Sequence, residues 1–201
     1  MGDIDMAVSR HYRQGLRARQ TLANTETIVA ATVGLIKRAR RIGDITLEDI
    51  ARQSGLTVRS VLRRFGSRNK VFEAAFLRLK DELWSLRVAT APGDVDAAIG
   101  SLLEQYERMG MINIRGLREE EDMPLLHRVL DEARGMHREW LRHVFGPHLA
   151  RLTPAERERR LTALYAATDI YLWKLLRRDL KCDRRSTLET ITRLVRGVLK
   201  P

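Results

Sequence analysis

Apolar residues recur three and four positions apart along most of the chain, the spacing that buries one face of an α-helix. This spacing predicts helices at about 25–41, at two short segments within 44–72, and at about 67–89, 94–110, 124–145, 154–178 and 187–199. Residues 111–123 carry a weaker signal and read as a short helix with the acidic run 119–122 before Pro124. No segment alternates apolar and polar residues for long enough to predict a strand, so we expect an all-α fold.

Residues 44–72 contain two short helices joined by a tight turn, and the sequence marks both helix starts. Thr46 can cap the first helix, and Asp49 three residues later completes a capping box. Gly55 can take the left-handed conformation that ends this helix, and Thr57 can cap the second helix. The apolar residues of the inner faces are Leu47, Ile50, Ala51, Leu56, Val61 and Phe65. The segment is therefore predicted to be a helix-turn-helix.

The outer face of the second helix carries polar and cationic side chains near its N-terminal end, the part that enters a major groove. We expect DNA contacts from Thr57, Val58, Arg59, Ser60, Arg63 and Arg64. The next helix opens with Ser67, Arg68 and Lys70, beside backbone amides that can hold a phosphate. Thr46 can do the same from the first helix of the motif. Arginine suits guanine and phosphate alike, so the residue types leave open which arginine reads bases.

The order of these signals resembles the DNA-binding domain of TetR-type transcriptional regulators over residues 24–76. The resemblance is carried by T-L-E-D-I-A at 46–51, G-L-T at 55–57 and F-G-S-R-N-K-V-F at 65–72. Leu62 stands where that family usually has a tyrosine that bonds a phosphate, and Arg68 stands where it usually has lysine. The resemblance implies a sequence-specific repressor that binds a palindromic operator as a homodimer and is released by a small-molecule effector.

Positive charge is concentrated in the part of the chain that holds the helix-turn-helix. The net charge is +11, and residues 1–80 hold 16 Lys and Arg against 7 Asp and Glu, a net of +9. This excess predicts a polyanionic partner held by phosphate neutralisation, although a solvated basic surface is the alternative. Residues 1–23 read as a flexible basic arm, with Arg17 and Arg19 placed to reach an adjacent minor groove.

The basic region ends within the helix at 67–89, which runs into a break at Pro92 and Gly93. We expect a DNA-binding domain at 24–80, after the arm at 1–23, and a helical effector-binding and dimerisation domain at 81–201. The last helices are apolar on two faces, so one face needs a partner outside its own domain. Two copies would close a four-helix bundle through Ala163, Ala166, Ile170, Ile191, Val195 and Val198.

Large aromatic and sulfur-containing side chains in the C-terminal domain are candidates for an effector pocket. The set is Trp84, Tyr106, Met109, Met123, His127, Trp140 and Trp173. Such residues at helical spacing are also ordinary core residues, so both interpretations stay open.

Catalysis and cofactor binding have little support in the sequence. The histidines lack the spacing of a helical metal pair, and no phosphate-binding glycine loop or nucleophile elbow is present. We expect no cofactor, no metal and no enzymatic activity. A single cysteine, Cys182, and the lack of a signal peptide or a membrane-length apolar run predict a cytoplasmic protein without a membrane partner. The alternatives are a sequence-tolerant architectural DNA-binding protein and a helical ligand- or metal-binding enzyme.

Overall fold

The computed structural model describes residues 3–88 and 90–200, without the side chains of residues 3–18, 83, 86 and 88. All regular secondary structure in these ranges is helical, which confirms the predicted fold class. The helices are α1 (Asp3–Arg38), α2 (Leu47–Ser54), α3 (Val58–Phe65), α4 (Arg68–Val88), α5 (Val95–Glu119), α6 (Pro124–Leu149), α7 (Pro154–Ala167), α8 (Ile170–Lys174) and α9 (Arg184–Leu199). A π-helical turn, Leu175–Asp179, follows α8. The chain divides into two compact units, Met1–Leu79 and Lys80–Pro201.

The N-terminal unit holds the helix-turn-helix, and its caps form as the sequence predicts. The Asp49 amide donates to the Thr46 hydroxyl at 3.1 Å, and the Asp49 carboxylate accepts from the Thr46 amide at 3.0 Å. Gly55 adopts a φ of 68°, a left-handed conformation that glycine takes without a Cβ clash. Thr57 caps α3 by accepting from the Ser60 amide at 3.1 Å. These bonds fix where both motif helices begin and where the first one ends.

Helix α1 begins at Asp3, well before the predicted start at about residue 25. The apolar spacing predicted a start only at about residue 25. Such spacing reports the burial of one helix face rather than the propensity to form a helix. From Ile28 onward its inner side chains are buried, and they join Val61 and Phe72 in the core of this unit. The use of residues 1–23 as a DNA arm remains a prediction.

In the C-terminal unit, α5 and α6 are both longer than predicted. Helix α5 runs unbroken to Glu119, through the region expected to form a separate short helix. Helix α6 continues past Pro147 to Leu149 instead of ending at residue 145. The Gly93 amide donates to the Val144 carbonyl at 2.7 Å, which gives one carbonyl of this last part of α6 a partner from outside the helix.

The helix predicted at 154–178 is interrupted near its middle. Helix α7 ends at Ala167, and Asp169 then caps α8 by accepting from the Tyr171 amide at 2.8 Å. The final helix begins at Arg184, capped by Asp183, three residues earlier than the predicted start at about 187. No helix in the described ranges is long and apolar enough to cross a membrane.

Candidate nucleic-acid interface and ligand cavity

Helix α3 presents a polar, basic face and buries the opposite one. Val61 is completely buried, whereas Thr57, Arg59, Arg63 and Arg64 are exposed. The remaining two predicted contact residues, Val58 and Ser60, are partly exposed. All six predicted side chains of this helix are therefore at least partly accessible. An exposed helix of this composition can offer hydrogen bonds to base edges and cations to phosphates.

Arg63 and Arg64 also border a shallow groove of about 290 Å³ between α3 and α1. The groove is lined by Thr21, Asn24, Ile28, Leu56, Ser60, Arg63 and Arg64. Arg64 donates through Nε to the Thr25 hydroxyl of α1, so its guanidinium is anchored beside this groove. The mixture of hydroxyl, amide and guanidinium groups is chemically suited to contact a phosphate backbone.

Arg68, at the start of α4, contacts backbone carbonyls of its own chain, whereas the sequence predicted a phosphate contact. The Arg68 Nε donates to the Ile45 carbonyl at 2.6 Å and its Nη2 to the Gly43 carbonyl at 2.7 Å, with the guanidinium 4.6 Å above the Phe72 ring. Two of its donors therefore brace the loop before α2, because a planar guanidinium can hold two carbonyls at once. The sequence assigned these donors to phosphate.

The other predicted phosphate contacts are at the surface. Lys70 is exposed and pairs with Glu73 at 2.7 Å, and Ser67 accepts from the Lys70 amide at 3.3 Å. Thr46 and Arg19 are exposed, and the side chain of Arg17 lies outside the described residues. Leu62 is 37% exposed and adds an apolar patch in the position where the resembled family has a tyrosine.

The C-terminal unit contains a cavity of about 160 Å³ lined by α4, α5, α6, α7 and the start of α8. Its lining consists of Trp84, Arg87, Gln105, Tyr106, Asn113, Leu117, Leu130, Ala133, Arg134, His137, Tyr165, Asp169, Ile170 and Tyr171. Of the seven predicted pocket residues, Trp84 and Tyr106 line it. Trp140 is not part of the lining, but its ring lies 5.0 Å from the guanidinium carbon of Arg87.

The remaining four predicted pocket residues lie elsewhere. Trp173 and Met109 are buried, and neither lines the cavity. His127 is exposed on α6, and Met123 precedes that helix. These four residues were candidates because of the type of their side chains. Residue type does not distinguish a side chain that packs in a core from one that borders a cavity.

Arg87 is the unexpected member of the cavity, and it is 3% exposed. Its guanidinium carbon lies 5.1 Å from the Trp84 ring, 5.0 Å from the Trp140 ring and 5.5 Å from the Tyr106 ring. Burial lowers the pKa of Arg87, but an arginine side chain stays protonated at neutral pH. The side chain is thus a buried cation inside an aromatic cage.

His137 connects Arg87 to the break between α7 and α8. Arg87 donates through Nη1 to His137 Nδ1 at 2.8 Å, so the proton of the neutral ring lies on Nε2. His137 Nε2 then donates to the Thr168 hydroxyl at 3.0 Å, and that hydroxyl donates to the Leu164 carbonyl at 2.7 Å. Burial, reinforced by the charge of Arg87, lowers the pKa of His137 to about 3. The imidazole is therefore neutral at physiological pH.

The carboxylates near the cavity are already engaged with groups other than Arg87. Arg134 forms a two-point ion pair with Glu120, with both oxygens at 2.6 Å, and a further contact with Asp131 at 3.0 Å. Burial raises the pKa of Asp169, whose carboxylate caps α8. In the described ranges, one group has the spacing of a cation site, namely Glu120, His127 and Asp131. The Arg134 guanidinium occupies both carboxylates of that group.

The predicted dimer residues divide into exposed and buried sets. Ala163 and Ala166 are exposed on α7, and Val198 is partly exposed on α9. Ile170, Ile191 and Val195 are 9%, 1% and 0% exposed and belong to the core of their own unit, so their assignment to the interface was wrong. The apolar spacing of α9 is satisfied inside its own unit, and its outward face carries Leu194, at 44% exposure, and Gly197.

Solved structures of transcriptional regulators share this fold. A transcriptional regulator from Rhodococcus sp. Rha1 matches with a TM-score of 0.69 and 16% identity, covering 87% of this chain and 95% of that one. A TetR-family transcriptional regulator from Streptomyces coelicolor gives 0.65 and 16%, covering 87% and 80%. A TetR transcription regulator from Haloarcula marismortui gives 0.55 and 16%, covering 88% and 96%. No family model matches the sequence, and no curated protein is significantly similar to it.

The chain therefore has the TetR-type regulator fold. At these identities the likeness concerns the fold alone, and what the chain does depends on its own residues.

Proposed function

We propose that this chain is a cytoplasmic, sequence-specific DNA-binding transcriptional regulator that acts as a homodimeric repressor and is released by a small-molecule effector. The observation that carries the proposal is the helix-turn-helix with the exposed face of α3. Three exposed arginines and the Thr57 hydroxyl lie on or beside a helix whose opposite side is fully buried at Val61. A surface of this kind fits a major groove in shape and in chemistry.

Affinity and sequence reading are assigned to different parts of this surface. Arg59 lies in the first turn of α3, the part that faces base edges when such a helix enters the groove. Arg64 lies more than one turn later and is anchored to Thr25, which suits a contact with the flanking phosphates. The net charge of +9 on residues 1–80 supports a large phosphate contribution to affinity.

The homodimer is assigned to α7 and α9, which pack against each other in the C-terminal unit. Arg160 of α7 donates to the Val198 carbonyl of α9 at 2.9 Å, which helps hold the two helices side by side. Their outward residues Ala163, Ala166, Leu194 and Gly197 are small or apolar, so helices of a second copy can approach closely. We call these four residues the α7/α9 surface. A two-fold dimer presents two α3 helices to successive major grooves.

Effector release is assigned to the cavity in the C-terminal unit. Helix α4 contributes Trp84 and Arg87 to its lining and Arg68 to the brace before α2, so one continuous helix belongs to both units. An effector that binds one conformer of this helix better than another changes DNA affinity by the same differential free energy.

Selection of DNA from a random-sequence library by the purified protein tests this proposal. We expect enrichment of a two-fold symmetric motif whose half-sites lie about one helical turn, roughly 10 base pairs, apart. Binding without enrichment would favour the sequence-tolerant architectural protein instead. The absence of binding at low salt would contradict both functions.

A further inference from the structure

The cavity in the C-terminal unit holds a buried positive charge that no acidic side chain in the described ranges neutralises. Arg87 forms no ion pair within 4.0 Å in those ranges, and its polar partners are the neutral ring of His137 and the hydroxyl of Tyr106. Aromatic faces stabilise a guanidinium without cancelling its charge. A buried charge of this kind is costly unless a counterion reaches it.

Unsatisfied polar atoms of cavity-lining side chains indicate the chemistry of a ligand that would fit there. In the described ranges, three buried side-chain atoms have no hydrogen-bond partner, namely Arg87 Nε, Trp140 Nε1 and Gln105 Oε1, and the first and third belong to residues that line the cavity. The first two are donors that carry a hydrogen and cannot accept. Gln105 can present its amide nitrogen in place of the oxygen after a half-turn of its terminal bond. A group that only accepts hydrogen bonds would therefore satisfy Arg87 and Gln105, the two of these residues that line the cavity.

We propose that this cavity binds a small, planar monocarboxylate whose two oxygens accept from Arg87 and from Gln105, which both line it. This inference rests on the proposed function in one respect only, since it names the chemical class of the effector. The paired N–H groups of a guanidinium match the two oxygens of a carboxylate in spacing and in plane.

The size and the remaining lining argue for a single-ring acid. A volume of about 160 Å³ corresponds to about five water molecules at roughly 30 Å³ each, which suits a ligand of single-ring size. Trp84, Leu117, Leu130 and Ile170 supply flat or aliphatic walls for the body of the ligand. Asp169 lines the same cavity, so a ligand with two negative charges would meet repulsion there.

Benzoate is a suitable probe because benzamide has nearly the same shape without the charge. Titration calorimetry of the full chain is expected to give a dissociation constant at least tenfold lower for sodium benzoate than for benzamide. Quenching or shifting of tryptophan fluorescence should accompany benzoate binding, because Trp84 and Trp140 flank Arg87. Equal affinities for the two compounds, or no binding of benzoate at millimolar concentration, would overturn the proposal.

Variants locate the binding to the named groups. Arg87→Met removes the charge and should weaken benzoate at least tenfold while leaving benzamide nearly unchanged. Arg118→Met is the matched control, since Arg118 is exposed on α5 and does not line the cavity, and it should bind benzoate like the wild type. Gln105→Leu keeps the approximate size of a cavity-lining side chain and removes its amide, so it provides a second test if Arg87→Met does not fold. An unchanged benzoate affinity in the folded Arg87 or Gln105 variant would refute the site.

DNA binding measured in parallel separates this inference from the proposed function. If the protein binds its selected duplex but not benzoate, the carboxylate site is wrong and the regulator assignment stands. If benzoate binds as expected but no DNA is bound, the site stands and the regulator assignment fails.

Discussion

Trp173 is buried in the core of the C-terminal unit and is held through the carboxylate of Glu107. Its indole N–H donates to Glu107 at 2.9 Å, and Arg177 of the π-helical turn makes a two-point contact with the same carboxylate at 2.6 and 2.9 Å. The donors of Arg177 hold the pKa of Glu107 below its usual value. The π-helical turn is thereby tied to α5, and the ring of Trp173 has little freedom to move away from that helix.

Gly110 of α5 is the close-contact point for that ring. A Cβ added at Gly110 would lie 2.5 Å from Cζ3 of Trp173, well inside van der Waals distance. Gly110→Ala is therefore expected to lower the free energy of unfolding by about 1–3 kcal/mol, as overpacked cores do. Gly100→Ala on the same helix meets nothing within 4 Å and should instead stabilise by up to about 1 kcal/mol. Chemical denaturation of both variants tests this, and equal effects would contradict the packing described.

His137 makes stability depend on pH in a defined window. Its pKa is about 3 in the folded protein and about 6.5 in an unfolded chain, so the unfolded state binds the extra proton as the pH falls. Stability should therefore be complete above pH 6.5 and decrease below it, by about 2 kcal/mol between pH 7 and pH 5. Denaturation curves at both pH values should show this loss. His137→Gln should remove most of it, whereas His143→Gln, on the exposed side of α6, should retain it.

Arg87 and its partners illustrate what residue types alone do not reveal. A charged side chain in a sequence is expected at the surface, so the position of Arg87 carries no signal of burial. No positive signal in the sequence marked His137, since its spacing fits no metal pattern. In the structure His137 links Arg87 to Thr168. Trp84 and Tyr106 are recognisable because aromatic residues line cavities often, but the same rule also selects the packing residue Trp173.

At the scale of elements, the helix-turn-helix was predictable almost residue by residue. Its caps depend on side chains three residues apart, and such local bonds can be deduced from sequence. The break at Thr168 was not predictable, because the apolar spacing continues across it. It depends instead on the Asp169 cap and on the contact of the Thr168 carbonyl with the Tyr106 hydroxyl at 2.9 Å, which comes from a distant helix.

The position of Arg64 on α3 predicts that its replacement weakens DNA binding without changing the discrimination between sequences. Arg64→Ala should weaken binding to a selected duplex and to a scrambled duplex by the same factor, because a phosphate contact carries no sequence information. The slope of log affinity against log salt should become shallower by about one unit for each phosphate that the variant no longer neutralises. Fluorescence anisotropy at several salt concentrations measures both quantities. Weaker binding to the selected duplex alone would assign Arg64 to base reading instead.

At the scale of the whole molecule, dimerisation is expected to depend on the α7/α9 surface. Leu194→Glu should place a charge at the interface and yield a folded monomer by sedimentation, with helicity unchanged. Leu180→Glu is the matched control, because Leu180 is 60% exposed and lies outside that surface. A Leu194→Glu protein that remains dimeric would show that the interface lies elsewhere. Val195 is unsuitable for this test, since it is buried in its own unit and its substitution would unfold the chain.

The sequence predicted the concentration of charge at one end of the chain but misplaced part of the dimer surface. Charge can be counted directly, whereas the outward face of α9 depends on which of its two apolar stripes packs inside the unit. Leu194 and Val195 are adjacent in sequence, yet one is 44% exposed and the other completely buried. A rotation of the helix by one residue separates the two outcomes, and tertiary packing sets that rotation.

The central claim is that α3 reads a DNA sequence, and the most direct measurement is the specificity ratio of the wild type and of Arg59→Ala. Wild-type protein should bind its selected duplex at least about 10³-fold more tightly than a scrambled duplex at physiological salt. Arg59→Ala should lose about 1–3 kcal/mol on the selected duplex and little on the scrambled one. Arg151→Ala, an exposed arginine in the C-terminal unit, should change neither. A wild-type ratio near one, or an equal loss on both duplexes in Arg59→Ala, would contradict the account.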